Sequence, residues 1–133
     1  MPSLLCDHET CLYGDDLAGM DRFYVDVMGL RKVSSMSPRG IAFRVNETSV
    51  LLIFSPKEAA RPHSEVPAHG ATGCGHCAFS IDSADIAAWK SRLAEHGVAI
   101  ECEITWQTGA KSIYFRDPSG NSLELIAGQL WPP

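Results

Sequence analysis

The chain has 133 residues, 45% of them hydrophobic and 20% charged, a composition expected of one globular domain over 1–133 whose core needs no disulfide or structural metal. A formal charge of −5, with its 11 Lys and Arg scattered, argues against a nucleic-acid partner. No apolar run approaches the ~20 residues of a membrane helix, and residues 1–7 lack the basic and apolar regions of a signal peptide.

Residues 9–13 alternate and read as a strand, and Asp15-Asp16 then suits a helix N-terminus. Leu17, Met20, Phe23, Tyr24, Val27 and Met28 recur at helical spacing, and Gly29 supplies the stop. Strands are expected at about 31–35, 40–45 and 49–54. Residues 55–72, bearing Pro, Ala and His, read as a linker in which His63 and His69 are expected to be solvated. The plan then repeats. Residues 76–81 form a strand, Asp82 and Ser83 a cap, and Ile86, Trp89 and Leu93 the buried face of a helix ended by Gly97. Strands follow at 99–104, 111–116 and 122–126, with Asp117-Pro118-Ser119-Gly120 as a tight turn between the last two.

The repeat extends to residue identity. Ile41-Ala42-Phe43-Arg44 matches Ile113-Tyr114-Phe115-Arg116, and matching positions lie 67 apart at Glu9 and His76 and 72 apart at Phe43 and Phe115. So long a period in so short a chain marks a duplicated supersecondary unit. The expected fold is α+β, two βαβββ modules (about 4–56 and 73–128) whose mostly antiparallel sheet is cupped, with the helices outside.

Strand alternation selects the side chains that line the cup. Cys77, Phe79 and Ile81 must pack on the helix, which turns His76 to the other face. Leu123 and Leu125 turn Glu124 the same way. An imidazole and a carboxylate on neighbouring strands begin a divalent-metal site. A third ligand from the first module is His8 or Glu9. Counting back from Asp16 favours Glu9, which shares a face with Cys11 and Tyr13 and leaves Thr10 and Leu12 to the helix.

Three further features have plain readings. Cys74-Gly75-His76-Cys77 spells a dithiol motif, but it runs into a strand rather than a helix N-terminus, so redox chemistry is not expected. The odd set of cysteines (6, 11, 74, 77, 102) reads as reduced thiols in a cytoplasmic protein. Trp106 rims the pocket or covers a loop, while Lys111 and Arg116 hold an anionic substrate group or are solvated.

The string Asp16-Leu17, Phe23-Tyr24, Gly29-Leu30 resembles the first module of the vicinal oxygen chelate superfamily. His76-Cys77-Ala78-Phe79, Gly97-Val98 and, most specifically, the run from Ser112 to Leu125 resemble the second. That superfamily includes glyoxalase I, fosfomycin-resistance and bleomycin-binding proteins, and extradiol dioxygenases. The resemblance implies a divalent ion (Mn, Fe, Ni, Zn or Mg) held by Glu9, His76 and Glu124. It further implies a small-molecule substrate with vicinal oxygens, and a homodimer. Glu124 and Tyr114 become the candidate catalytic groups, with Cys11 as a further proton-transfer candidate. The implied activity is glyoxalase- or dioxygenase-like: a lyase, isomerase or dioxygenase. The alternatives are a metal-free binding protein for a drug or metabolite, and a fosfomycin-type thiol transferase. Two departures bear on this. Glyoxalase I has a fourth, acidic ligand where this chain has Leu52, or Leu51 if the turn is shifted. Tyr13 stands where its bacterial relatives have Arg.

Overall fold

The computed structural model describes residues 1–62 and 65–133, so His63 lies outside the described residues. The chain divides into two compact units, Met1–Gly73 and Cys74–Pro133. The first contains β1 (Glu9–Tyr13), α1 (Leu17–Arg22), β2 (Arg31–Met36), β3 (Gly40–Arg44), β4 (Val50–Phe54) and α2 (Pro56–Ala59). The second contains β5 (His76–Ile81), α3 (Ile86–Glu95), β6 (Cys102–Thr105), β7 (Lys111–Arg116) and β8 (Ser122–Ala127). Each builds a four-stranded mixed sheet, in the orders β1-β4-β3-β2 and β5-β8-β7-β6. The duplication read from the sequence is therefore a duplication of topology. In each sheet the first strand runs parallel to the last and the other pairs are antiparallel. A parallel pair needs a crossover, and the helix provides it.

In the first unit, Leu12, Ile41, Phe43, Leu51 and Ile53 meet Met20, Phe23, Tyr24, Val27 and Met28 in the core. The Tyr24 and Phe43 rings lie 5.6 Å apart. Asp16 accepts from the Gly19 amide (2.9 Å), satisfying one of the orphan donors at the start of α1. The expected helix runs on past α1 as a wider π turn over Phe23–Val27, closed by Met28 N–H donating to the Phe23 carbonyl (3.1 Å). Periodicity of three to four cannot foretell that widening. Gly29 (φ 71°) and Gly97 (φ 68°) end the two main helices in the left-handed conformation a Cβ opposes.

The linker departs from expectation. Ser55 Oγ caps α2 by accepting from the Glu58 amide (3.3 Å), and Ala59 is buried. His69 is not simply solvated. Its amide donates to the Ala59 carbonyl (2.9 Å), its ring packs edge-on against Phe54 (4.6 Å), and its Nδ1 lies 2.6 Å from the Tyr13 hydroxyl. Two aromatic partners and a polar one outweigh hydration of a single imidazole.

In the second unit, Leu93 of α3 is fully buried, with Ile113, Phe115, Leu123, Leu125 and Ala127 of β7 and β8 as the core. The expected strand at 99–104 narrows to β6, although Glu101 N–H still donates to the Tyr114 carbonyl (2.8 Å). The turn between β7 and β8 is tied by side chains. Asp117 accepts from the amides of Ser119 (2.9 Å) and Asn121 (3.0 Å) and from the Asn121 side-chain amide (2.8 Å). Asn121 Oδ1 reaches across to accept from the Gly75 amide (2.8 Å), one residue before β5.

Two outcomes follow. Asn121→Ala strips buried partners from Asp117 and from Gly75 N–H, and is expected to cost about 2–3 kcal/mol in urea unfolding. A loss under 1 kcal/mol, on the order of an ordinary surface change, would contradict the staple. All five cysteines are free, and only Cys77, whose thiol is pushed up by burial, is shielded. A thiol-reactive dye at pH 8 should therefore label four sites quickly and Cys77 slowly. Five equal rates would contradict the orientation of β5.

Candidate metal centre

The register of the second sheet assembles the candidate site. β5 pairs with β8 so that His76 lies beside Ser122 and Ala78 beside Glu124, while β7 sets Tyr114 beside Glu124 on its other flank. Alternation then gathers His76, Glu124, Tyr114 and Ser112 on the face turned from α3. Glu124 is 5% exposed, yet its carboxylate is well provided for. Ser112 Oγ donates to Oε1 (2.5 Å), and Trp106 Nε1 donates to Ser112 Oγ (2.8 Å). Tyr114 stands beside Glu124 in the sheet, and its ring stacks on His76 at 6.4 Å.

His76 contributes the other half. Its Nδ1 lies 2.9 Å from the Ser122 carbonyl oxygen, which can only accept, so Nδ1 carries the proton. In the neutral ring that leaves a lone pair on Nε2, and Nε2 faces Glu124 Oε2 at 3.4 Å. Two electron-rich atoms that close call for something positive between them, a shared proton or a metal ion. Ligand atoms bound to one ion at ~2.0–2.2 Å stand ~3.0–3.5 Å apart, so the observed spacing fits a shared metal. The backbone carbonyl behind His76 is the outer partner that metal-binding imidazoles commonly keep.

The Tyr114 hydroxyl is pushed above its ordinary value, first by burial and then by the neighbouring Glu124. It stays protonated at neutral pH and serves as a donor, not a base. Ser112, a common strand residue, draws no functional reading from the sequence, and Trp106, lying across a turn, reads only as a pocket rim or a loop cover. The signal that finds them is a buried hydroxyl two residues from Tyr114.

Of the remaining candidates, Glu9 opens β1 as His76 opens β5, and it lies with Cys11 and Tyr13 on the face away from α1, since Leu12 is buried against the helix. His8 precedes the strand, and its carbonyl accepts from Val50 N–H (3.2 Å). Leu52 pairs with Cys11 as Glu124 pairs with Ala78. The position matching Glu124 is thus Leu52 rather than Leu51, and it offers no ligand atom. Tyr13 is raised above its ordinary value, first by burial and then by the neighbouring Cys11. Arg116 is committed to Glu101, with bonds of 2.8 and 3.1 Å, and Lys111 is exposed. Among the described residues no three His, Cys, Asp or Glu side chains gather as one cluster; the pair His76–Glu124 is what the second sheet brings together. No helix there is long and apolar enough to cross a membrane.

Comparison with known proteins agrees with this architecture. Residues 7–125 match the sequence profile of the Glyoxalase/Bleomycin resistance protein/Dioxygenase superfamily. The crystal structure of lactoylglutathione lyase from Agrobacterium tumefaciens is 38% identical, covering 99% of this chain and 98% of that one, with a TM-score of 0.90. The fosfomycin resistance protein FosX from Mesorhizobium loti is 25% identical over 98% of this chain and 96% of its own, with a TM-score of 0.65. The metallothiol transferase FosB of Shouchella clausii is 44% identical over 57 residues, a stretch spanning 41% of this chain and 39% of that protein. The chain belongs to the Glyoxalase/Bleomycin resistance protein/Dioxygenase superfamily.

Proposed function

We propose that the protein is a divalent-metal-dependent enzyme acting on a small molecule with adjacent oxygens, by lyase or isomerase chemistry or as a dioxygenase. The observation that carries the reading is the His76–Glu124 pair. The proton on Nδ1 is committed to a backbone carbonyl, leaving Nε2 and Oε2 facing one another at 3.4 Å. His76 Nε2 and Glu124 Oε2 would hold the ion, with Glu9 the third ligand that the family resemblance implies. Support for Glu9 is its register: first residue of the strand equivalent to β5, on the face away from the helix. When bound, Mn, Fe, Ni, Zn or Mg would supply Lewis acidity to a substrate carbonyl or alkoxide.

The chain's own groups do the rest. Tyr114, beside Glu124 in the sheet and with its hydroxyl pushed above its ordinary value, would donate a hydrogen bond to a substrate oxygen. Glu124, shielded from water, holds its orientation without reorganising. Two carboxylates and one imidazole favour a hard or borderline ion. Leu52 leaves the first module without a fourth acidic ligand, which separates this site from a four-ligand glyoxalase I arrangement despite the 38% identity to a lactoylglutathione lyase.

A second reading, thiol transfer to a fosfomycin-type substrate, draws on the 57-residue match to FosB. It predicts thiol-dependent loss of fosfomycin in solution. Unchanged antibiotic in the presence of metal and thiol would remove it. The protein is further read as cytoplasmic, which cell fractionation checks, and as a homodimer that covers exposed sheet edges. Sedimentation at the 14.5 kDa chain mass would remove the dimer.

The deciding experiment is elemental analysis of tag-free protein purified without chelator and then reconstituted. Wild type should hold about one equivalent of ion, His76→Ala should hold none, and Glu9→Gln should bind at least about tenfold more weakly. Wild-type protein that takes up no Mn²⁺, Fe²⁺, Ni²⁺ or Zn²⁺ would overturn the metal-centre reading. Full retention in Glu9→Gln would remove Glu9 alone.

A further inference from the structure

We propose that Ser112 and Trp106 are positioning residues that clamp the Glu124 carboxylate so that it offers a single oxygen, Oε2, beside His76 Nε2. The inference rests on the metal-centre reading and specifies how Glu124 enters it.

The direction of each hydrogen bond fixes the clamp. An indole N–H only donates, so Trp106 makes Ser112 Oγ an acceptor at 2.8 Å. A hydroxyl has one proton, and with the indole occupying a lone pair that proton points at Glu124 Oε1, 2.5 Å away. The chain is one-way: indole to hydroxyl to carboxylate. Ser112 is 1% exposed, so water does not compete for its proton. Trp106 is held at its backbone by the β6–β7 turn, where its N–H donates to the Ala110 carbonyl (2.8 Å) and its carbonyl accepts from Gly109 N–H (2.9 Å). The strained position in that turn is given to Gly109, at φ 87°.

The consequence for ligation follows. Oε1 is held by a short bond to a buried donor, while Oε2 faces the histidine at 3.4 Å. The Ser112 bond takes one lone pair of Oε1 and fixes the plane of the carboxylate, so turning both oxygens to one ion would compete with a hydrogen bond whose loss leaves a buried hydroxyl unpaired. Glu124 is accordingly a one-oxygen ligand whose orientation is set before any ion arrives. Outer partners of this kind typically contribute to metal affinity as ligands themselves do.

The test titrates wild type, Ser112→Ala, Ser112→Thr and Trp106→Phe with Ni²⁺ by calorimetry and with Co²⁺ by visible absorption. Ser112→Ala should weaken Ni²⁺ binding about 10- to 100-fold and change the Co²⁺ spectrum, because the freed carboxylate can swing to two-oxygen ligation. Ser112→Thr keeps the hydroxyl and should restore both readouts. Trp106→Phe, which keeps a ring but lacks the N–H, should show a smaller loss in the same direction. Ser112→Ala within about twofold of wild type, with an unchanged Co²⁺ spectrum, would overturn the clamp while leaving the metal centre standing. If Ser112→Ala does not fold, Trp106→Phe decides by the same criterion. Wild-type protein that binds neither ion would sink the metal centre, and the clamp with it.

Discussion

The second unit depends on the parallel register of β5 against β8, and that register depends on a polar staple. Asn121 joins the turn between β7 and β8 to the residue before β5, accepting from Gly75 N–H while donating to Asp117. Ser122 N–H then donates to the Gly75 carbonyl (2.9 Å), which starts the ladder. From there His76 falls beside Ser122 and Ala78 beside Glu124. A slip of one residue would turn Glu124 into the helix face and bring Leu123 or Leu125 out of the core. The imidazole and the carboxylate thus meet because the 117–121 turn is tied internally and to the residue before β5. Neither residue could arrange this alone.

The site balances a cost against a need. A carboxylate this buried loses most of its hydration, and the Ser112 hydroxyl, donating to Oε1, replaces part of it. That donor is neutral, so the negative charge is stabilised without being neutralised. A residual demand for a cation remains on the side of His76. The equivalent position in the first sheet, Leu52, places no such demand on its surroundings. The two copies of the fold have diverged in electrostatics more than in topology.

Much of the fold was legible because duplication makes each half a check on the other. The Phe-Arg strand endings, the glycine-stopped helices and the alternation of 76–81 and 122–126 point to one topology, found twice. Of the site, His76 and Glu124 could be brought together because alternation plus an apolar core leaves them only one face. The burial of Leu12 sets the parity of β1 and leaves Glu9, Cys11 and Tyr13 on the opposite face. What escaped lacks a period. The four residues of α2 are too few to show one, and the π turn shares the spacing of an ordinary helix. His69 is held by rings whose proximity no local pattern encodes. Ser112 and Trp106 interact across a turn, and only the direction of their protons gives them meaning.

The staple at Asn121 also bears on how variants of this protein would behave in a functional screen. Because one buried amide both starts the ladder and aligns the candidate ligands, folding and site geometry draw on the same bonds. A lesion in the 117–121 turn would leave the chain partly folded and the His76–Glu124 spacing altered at once. A screen scoring only turnover would assign such residues to catalysis, and one scoring only solubility would assign them to structure. The second unit does not separate the two roles, so drift in this loop is constrained from both directions.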